Sequence, residues 1–285
     1  MVHIPGGTFL MGTEDDDRWI EDGESPIRPV TVDPFYMDHH PVSNHQFAAF
    51  IQKTGYLTEA ERFGWSYVFL GQLSAEDQKQ LVPQTVRDVP WWYGVAGAQW
   101  QTPFGPNSGI TDTMDHPVVH VSWNDAVAYC QWSGKRLPSE AEWEFAARGG
   151  LEQKRFSWGD ELVPSGSHQC NIWQGDFPDT NSVEDGFKWT APVVHYEPNR
   201  FGLYHMAGNV WEWSADWFSP TWHTEHPCCA GTNPKGPSTG TNKSMRGGSF
   251  LCHDSYCNRY RVAARTKNTP DSSTTNLGFR CVRDL

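Results

Sequence analysis

The sequence predicts an α+β protein built as one irregular domain over residues 1–285, with little regular secondary structure. Three observations carry this reading. Tryptophan is abundant (15 residues), and Gly (26) and Pro (20) are spread evenly rather than gathered into a linker. Only a few segments repeat with helical period. The strand-like segments are short and bounded by Gly or Pro. Such a chain buries indole rings between turns and bonds their N–H groups to loops. A length of 285 residues is long for one domain but within range, and it allows a core that needs no disulfide staples.

Near the N-terminus "HIPGGTFLMG" (3–12) and "RPVTVDPFYMD" (28–38) read as strands. "SNHQFAAFIQKTG" (43–55) reads as a helix, with Ser43 as N-cap, Phe47, Phe50 and Ile51 at helical spacing, and Gly55 as the stop. Residues 56–115, including "WWYGVAGAQW", are the least regular part and read as a long surface excursion. "HPVVHVS" (116–122) reads as a strand. "SWNDAVAYCQWSG" (122–134) is a helix capped by Ser122 or Asn124, with Ala126, Val127, Tyr129 and Cys130 on or near one face. In "RLPSEAEWEFAARGG" (136–150), Ser139 and Glu142 form a capping box and Gly149-Gly150 ends the helix. "SMRGGSF" (244–250) and "LGFRCVRD" (277–284) complete the strands, and the glycine pairs mark bulges or tight turns.

The formal net charge of −12 argues against a nucleic-acid or anionic-membrane partner, since both select basic surfaces. No stretch approaches the ~20 apolar residues of a membrane helix. The N-terminus lacks a basic flank followed by an apolar run, so the sequence reads as soluble and cytoplasmic.

Seven cysteines are too few for a disulfide scaffold, and the odd count leaves at least one thiol free or bonded to another molecule. Cys170 has no assigned role. Cys228-Cys229 in "HPCCAG" read as two loop thiols, with His223 and His226 as the donors a metal site there would use. Cys252 and Cys257 stand out in "RGGSFLCHDSYCNRYRVAAR" (246–265). A local disulfide, inert core thiols and a soft metal site are all open to them. Thiolates select Cu(I), zinc or iron–sulfur. A closed zinc site needs four ligands and would have to recruit His253 or distant residues. Two thiolates suffice for linear Cu(I) and leave room for a third sulfur.

Several segments together resemble the formylglycine-generating enzyme family, over nearly the whole chain and in order. They are "IPGGTFLMG", "HPVVHVSWNDAVAYCQWSGKRLPSEAEWEFAARGG", "NIWQGDFP", "GLYHMAGNVWEW", "RGGSFLCHDSYCNRYRVAAR" and "NTPDSSTTNLGFRC". The first three and "GNVWEW" are shared with a wider superfamily that includes iron-dependent sulfoxide synthases. The Cys-x4-Cys pair marks the formylglycine-generating branch.

The resemblance implies a C-type-lectin-like topology. It also implies oxidation of the cysteine in a Cys-x-Pro-x-Arg motif of an unfolded sulfatase polypeptide to formylglycine. Cu(I) would be held by Cys252 and Cys257, molecular oxygen would be the oxidant, and an external thiol would supply the remaining electrons. By the same resemblance Ser249 and Trp211 line the oxygen pocket, and Tyr256, Ser273 and Asn276 lie near the reacting thiol and the bound peptide. Asn171, Ile172, Asp185 and Phe187 match a Ca2+ site, and their mixed side-chain and main-chain oxygens suit a hard cation. A second Ca2+ site would use Gly208, Val210 and Glu212, but its first ligand is His205 here, and imidazole is a poor calcium ligand. Cys130 and Cys281 match positions that can bridge, a link worth roughly 4–5 kcal/mol by chain entropy.

Two rival readings remain open. A sulfoxide-synthase-like enzyme needs a three-His iron site, for which His39, His40, His45, His116 and His120 are available. A non-catalytic lectin-like binding module keeps the fold markers and has no need of the cysteine pair.

Overall fold

The computed structural model describes residues 1–86, 89–226 and 231–285. The three sequence-predicted helices form where their caps place them. Helix α1 spans Asn44–Thr54, with a reciprocal capping box between Ser43 and Gln46 and Gly55 in the left-handed conformation. A short helix that the sequence did not suggest, α2, spans Glu59–Phe63 and has its own capping box, Thr58 with Glu61. Helix α3 spans Trp123–Trp132, and of the two candidate caps Ser122 takes the role, paired with Asp125. Helix α4 spans Glu140–Arg148, with Ser139 and Glu142 boxed and Gly149 left-handed at its end.

The strands are shorter than the patterns suggested. The two N-terminal segments each break in two, giving Val2–Ile4, Gly7–Met11, Arg28–Val32 and Phe35–Met37. Phe35–Met37 is the centre of a three-stranded sheet that pairs antiparallel with Val2–Ile4 and with Val282–Asp284 near the C-terminus. The 277–284 segment likewise splits, its first part Leu277–Gly278 joining another sheet. That four-stranded sheet runs in the order Arg265–Asn268, Lys243–Arg246, Trp211–Trp217, Leu277–Gly278, and it carries the site described below.

Two expectations are corrected. Residues 116–122 do not form a ladder strand, and His120 breaks the segment with a left-handed φ of +58°. Their donors go to irregular partners, Val118 N–H to Val42 O and His120 N–H to Thr274 O, with a single bridge at Pro117. Residues 56–115 are not merely a surface excursion. Besides α2 they contain a three-stranded sheet with Trp92–Ala96 between Trp65–Phe69 and Leu81–Thr85.

The core agrees with the Trp-rich reading. Trp213 and Trp143 are fully buried, and their indole N–H groups bond to Val121 O (3.1 Å) and Glu212 (2.7 Å). Buried ion pairs tie helix, strands and loops together: Arg261 with Glu24, Arg280 with Glu212, and Arg148 and Arg246 with Glu144. Burial opposes the charge on Glu144, but the two guanidiniums outweigh it and hold its carboxyl at about 2. Among the described residues no helix is long and apolar enough to cross a membrane.

Candidate active site

Strand Lys243–Arg246 ends at Gly247-Gly248, both with positive φ. A β-carbon on Gly248 would meet the backbone of Arg259 and Tyr260 at 3.0–3.1 Å, so only glycine lets the chain pass here. Two turns follow. Cys252 N–H bonds Ser249 O (2.9 Å), and His253 O accepts both Tyr256 N–H (3.0 Å) and Cys257 N–H (2.6 Å). This winding brings Cys252 Sγ and Cys257 Sγ to 2.8 Å. Both thiols are free, and both side chains are buried.

The pair lies at a cavity of about 530 Å³. Ser249, Trp211, Tyr256 and Asn276 line it with the cysteines. Ser249 N–H faces Cys252 Sγ at 3.4 Å, and Asn276 Nδ2 donates to Ser249 Oγ at 2.8 Å. Trp211 N–H bonds Asn276 O at 2.9 Å, where the two strands run parallel. Tyr256 stacks on Phe177 (4.7 Å, 4°) and meets the edge of Trp91 (4.8 Å).

Ser273 is placed differently from expectation. Its hydroxyl turns inward to Ser66 Oγ (2.7 Å), and its neighbours Ser272 and Thr274 line the cavity instead. The cause is the extended segment's bridge to Tyr67, which sends alternate side chains to opposite sides.

Sequence reasoning missed part of the wall. Tyr67, Trp91 and Trp92 come from the 56–115 region, and among the described residues Arg259 and Lys267 are the charged ones that line the cavity. The Trp-Trp-Tyr run was a signal that something large is buried there, but not against what. Arg259 is held by Asp22 (2.6 Å) and lies over the Trp19 ring at 3.9 Å. Burial raises the cost of charge on both sulfurs. At Cys257 the Cys252 thiol and Arg259 outweigh burial and hold the thiol below its ordinary value, while burial pushes the Cys252 thiol up.

The donor sets differ in their fit to metals. Among the described residues no group of three or more His, Cys, Asp and Glu could hold a metal ion. A zinc site that recruits His253 and a three-His iron site both need such a group. His120 faces Ser66 and Pro103 O, and His116 faces Thr190. The bare two-sulfur pair suits Cu(I).

The first calcium set fits a cation. Asn171 Oδ1 is buried without a partner. Ile172 O and Asp185 Oδ2 (2.8 Å) converge on one atom, Gln174 Nε2. Phe187 N–H bonds Asp185 Oδ1 (2.9 Å), and burial pushes the Asp185 carboxyl above its ordinary value. The second set does not fit. Both Glu212 oxygens are taken, by Arg280 (2.6 Å each) and Trp143. The His205 ring faces Pro192 O (2.8 Å). Cys228 and Cys229 lie outside the described residues.

Comparison with known proteins places this chain in a family. The model of the sulfatase-modifying factor enzyme 1-like domain matches residues 1–285, and the chain belongs to that family. It is 59% identical to a formylglycine-generating enzyme of Thermomonospora curvata, over 100% of this chain and 93% of that protein. A Bos taurus formylglycine-generating enzyme is 56% identical over 100% of this chain and 74% of its own length. An inactive C-alpha-formylglycine-generating enzyme 2 of Mus musculus is 47% identical over 99% of this chain and 84% of its length. Overall likeness therefore does not decide activity, and the site residues must. Among solved structures, PvdO from Pseudomonas aeruginosa superposes with a TM-score of 0.71 at 24% identity, covering 99% of this chain and 93% of its own. Treponema denticola variable protein 1 does so at 0.65 and 18%, covering 100% and 95%. Both likenesses concern the fold alone.

Proposed function

We propose that this protein oxidises the cysteine of a Cys-x-Pro-x-Arg segment in an unfolded sulfatase polypeptide to formylglycine, with copper(I) held by Cys252 and Cys257. The observation that supports this most is the pair of free sulfurs 2.8 Å apart at a roomy cavity. A merely structural pair would have no use for that space. The likeness to proteins named formylglycine-generating enzymes points the same way.

The reaction balances with one dioxygen and two external thiols. The substrate thiol and its methylene together give up two electrons and two protons, and water then replaces sulfur to leave an aldehyde and hydrogen sulfide. The external thiols become a disulfide and supply two more electrons. Dioxygen takes all four and becomes two waters, one of which the hydrolysis consumes. Bound copper(I) supplies the one-electron chemistry that makes triplet dioxygen reactive.

The chain's own residues do the rest. Trp211 lines the cavity together with the two cysteines. Ser249 holds Cys252 through its N–H, and Asn276 fixes the Ser249 hydroxyl. Arg259 and Lys267 favour negative charge in an otherwise acidic protein. Tyr256 and Trp91, backed by Phe177, form an aromatic wall for the peptide's apolar positions. We further propose that Asn171, Ile172, Asp185 and Phe187 hold one structural Ca2+. The test is copper-dependent oxygen uptake with a Cys-x-Pro-x-Arg peptide and a thiol, against the same peptide carrying serine for cysteine. Uptake that needs neither copper nor the cysteine would contradict the reading.

A further inference from the structure

The acceptors around His120 set the direction of its hydrogen bonds. The ring is fully buried, and its Nε2 lies 2.7 Å from Pro103 O. A carbonyl only accepts, so Nε2 carries the proton and Nδ1 is bare. Ser66 Oγ lies 2.8 Å from Nδ1 and 2.9 Å from Ser273 O; its one proton goes to Nδ1, for which the described residues offer no other donor, whereas Ser273 O also accepts Tyr67 N–H (3.3 Å). Ser66 Oγ also lies 2.7 Å from Ser273 Oγ, so Ser273 is the donor in that pair. His120 N–H bonds Thr274 O as well (2.9 Å), so the residue grips the same segment twice.

That segment leads to the cysteines. Thr274 Oγ1 donates to Asn276 Oδ1 (2.7 Å), which fixes the amide so that Nδ2 points at Ser249 Oγ. Ser249 in turn faces Cys252 Sγ. His120 holds φ +58°, a left-handed conformation strained for a residue with a β-carbon, and the two bonds keep it there.

We propose that His120 is a positioning residue for the substrate: the chain His120–Ser66–Ser273 sets the register of residues 272–276, so that Thr274 and Asn276 meet the peptide and Asn276 stays on Ser249. The inference rests on the reading of the cavity as a peptide site.

The test compares Ser66→Ala, Ser273→Ala, their double variant and His120→Asn, which tolerates a left-handed backbone. The probe is a labelled Leu-Ser-Thr-Pro-Ser-Arg peptide, bound to copper-free protein and read by anisotropy, with melting temperature as control. Each single variant should weaken binding about tenfold, and the double variant no further, because one chain is broken once. Cu(I) affinity should not change. Losses that multiply in the double variant overturn the proposal, as do lowered melting temperatures with unchanged peptide affinity. A wild-type protein that does not bind the peptide contradicts the proposed function instead. The Asn276 side-chain amide resonance then decides the positioning claim: a shift in Ser66→Ala upholds it, and an unmoved resonance overturns it.

Discussion

Cys130 Sγ lies 3.4 Å from Cys281 Sγ, across 151 residues of chain, and both thiols are free. The two sulfurs need only a short approach to bond. Burial pushes the Cys281 thiol well above its ordinary value, so its attack on an oxidant is slow at neutral pH. Cys130→Ser should therefore change the melting temperature little in reducing buffer. After prolonged oxidation the wild type should gain up to roughly 4–5 kcal/mol, and Cys130→Ser should gain none. A large loss for Cys130→Ser under reduction would show a packing role instead.

Calcium should matter at one place. With Asp185 and its neighbours as the site, EDTA should lower stability by about 2–3 kcal/mol relative to calcium at a hundredfold excess over its dissociation constant. Asp185→Asn should melt at the same temperature with and without calcium. Because Arg280 and Trp143 occupy Glu212, elemental analysis should find one calcium per chain. Two would contradict the assignment.

His120 gives the protein a pH signature. Burial lowers its value to about 4, from an ordinary value near 6.5. A histidine lowered by folding is neutral in both states above pH ~6.5 and adds nothing there. Below that the unfolded chain binds a proton the folded one refuses, so stability falls as pH drops towards about 4. Relative to His120→Gln, the wild type should lose roughly 1.4 kcal/mol per pH unit in that window, read from urea melts at several pH values. Parallel pH curves for the two proteins would refute the buried neutral imidazole.

The three long helices were legible because a capping box is local: Ser43, Ser122 and Ser139 each find their partner three residues on. The strands were less so. Gly6 and Pro34 interrupt them, and residues 116–122 find partners among irregular segments that no periodicity announces. The cysteine pair was legible from its spacing and flanking motif. Arg259 as a neighbour of that pair was not, since Asp22, 237 residues away, positions it. Nor was the inward turn of Ser273, which depends on Ser66, a distant residue on the strand Trp65–Phe69.

Cys252→Ser and Cys257→Ser should each reduce turnover by at least about a hundredfold, the scale on which a disturbed metal site loses activity. Circular dichroism and melting temperature should stay close to wild type, because serine is nearly isosteric with cysteine and no bridge is lost. Full turnover in both variants would sink the mechanism.

The most direct measurement is a Cu(I) titration of the reduced protein, followed by incubation with Leu-Cys-Thr-Pro-Ser-Arg in air with a thiol and mass spectrometry of the peptide. The account predicts one copper per chain, lost in Cys252→Ser and Cys257→Ser, and a peptide whose cysteine side chain has become an aldehyde. A protein that binds no copper at Cys252 and Cys257 and leaves the peptide unchanged would contradict it.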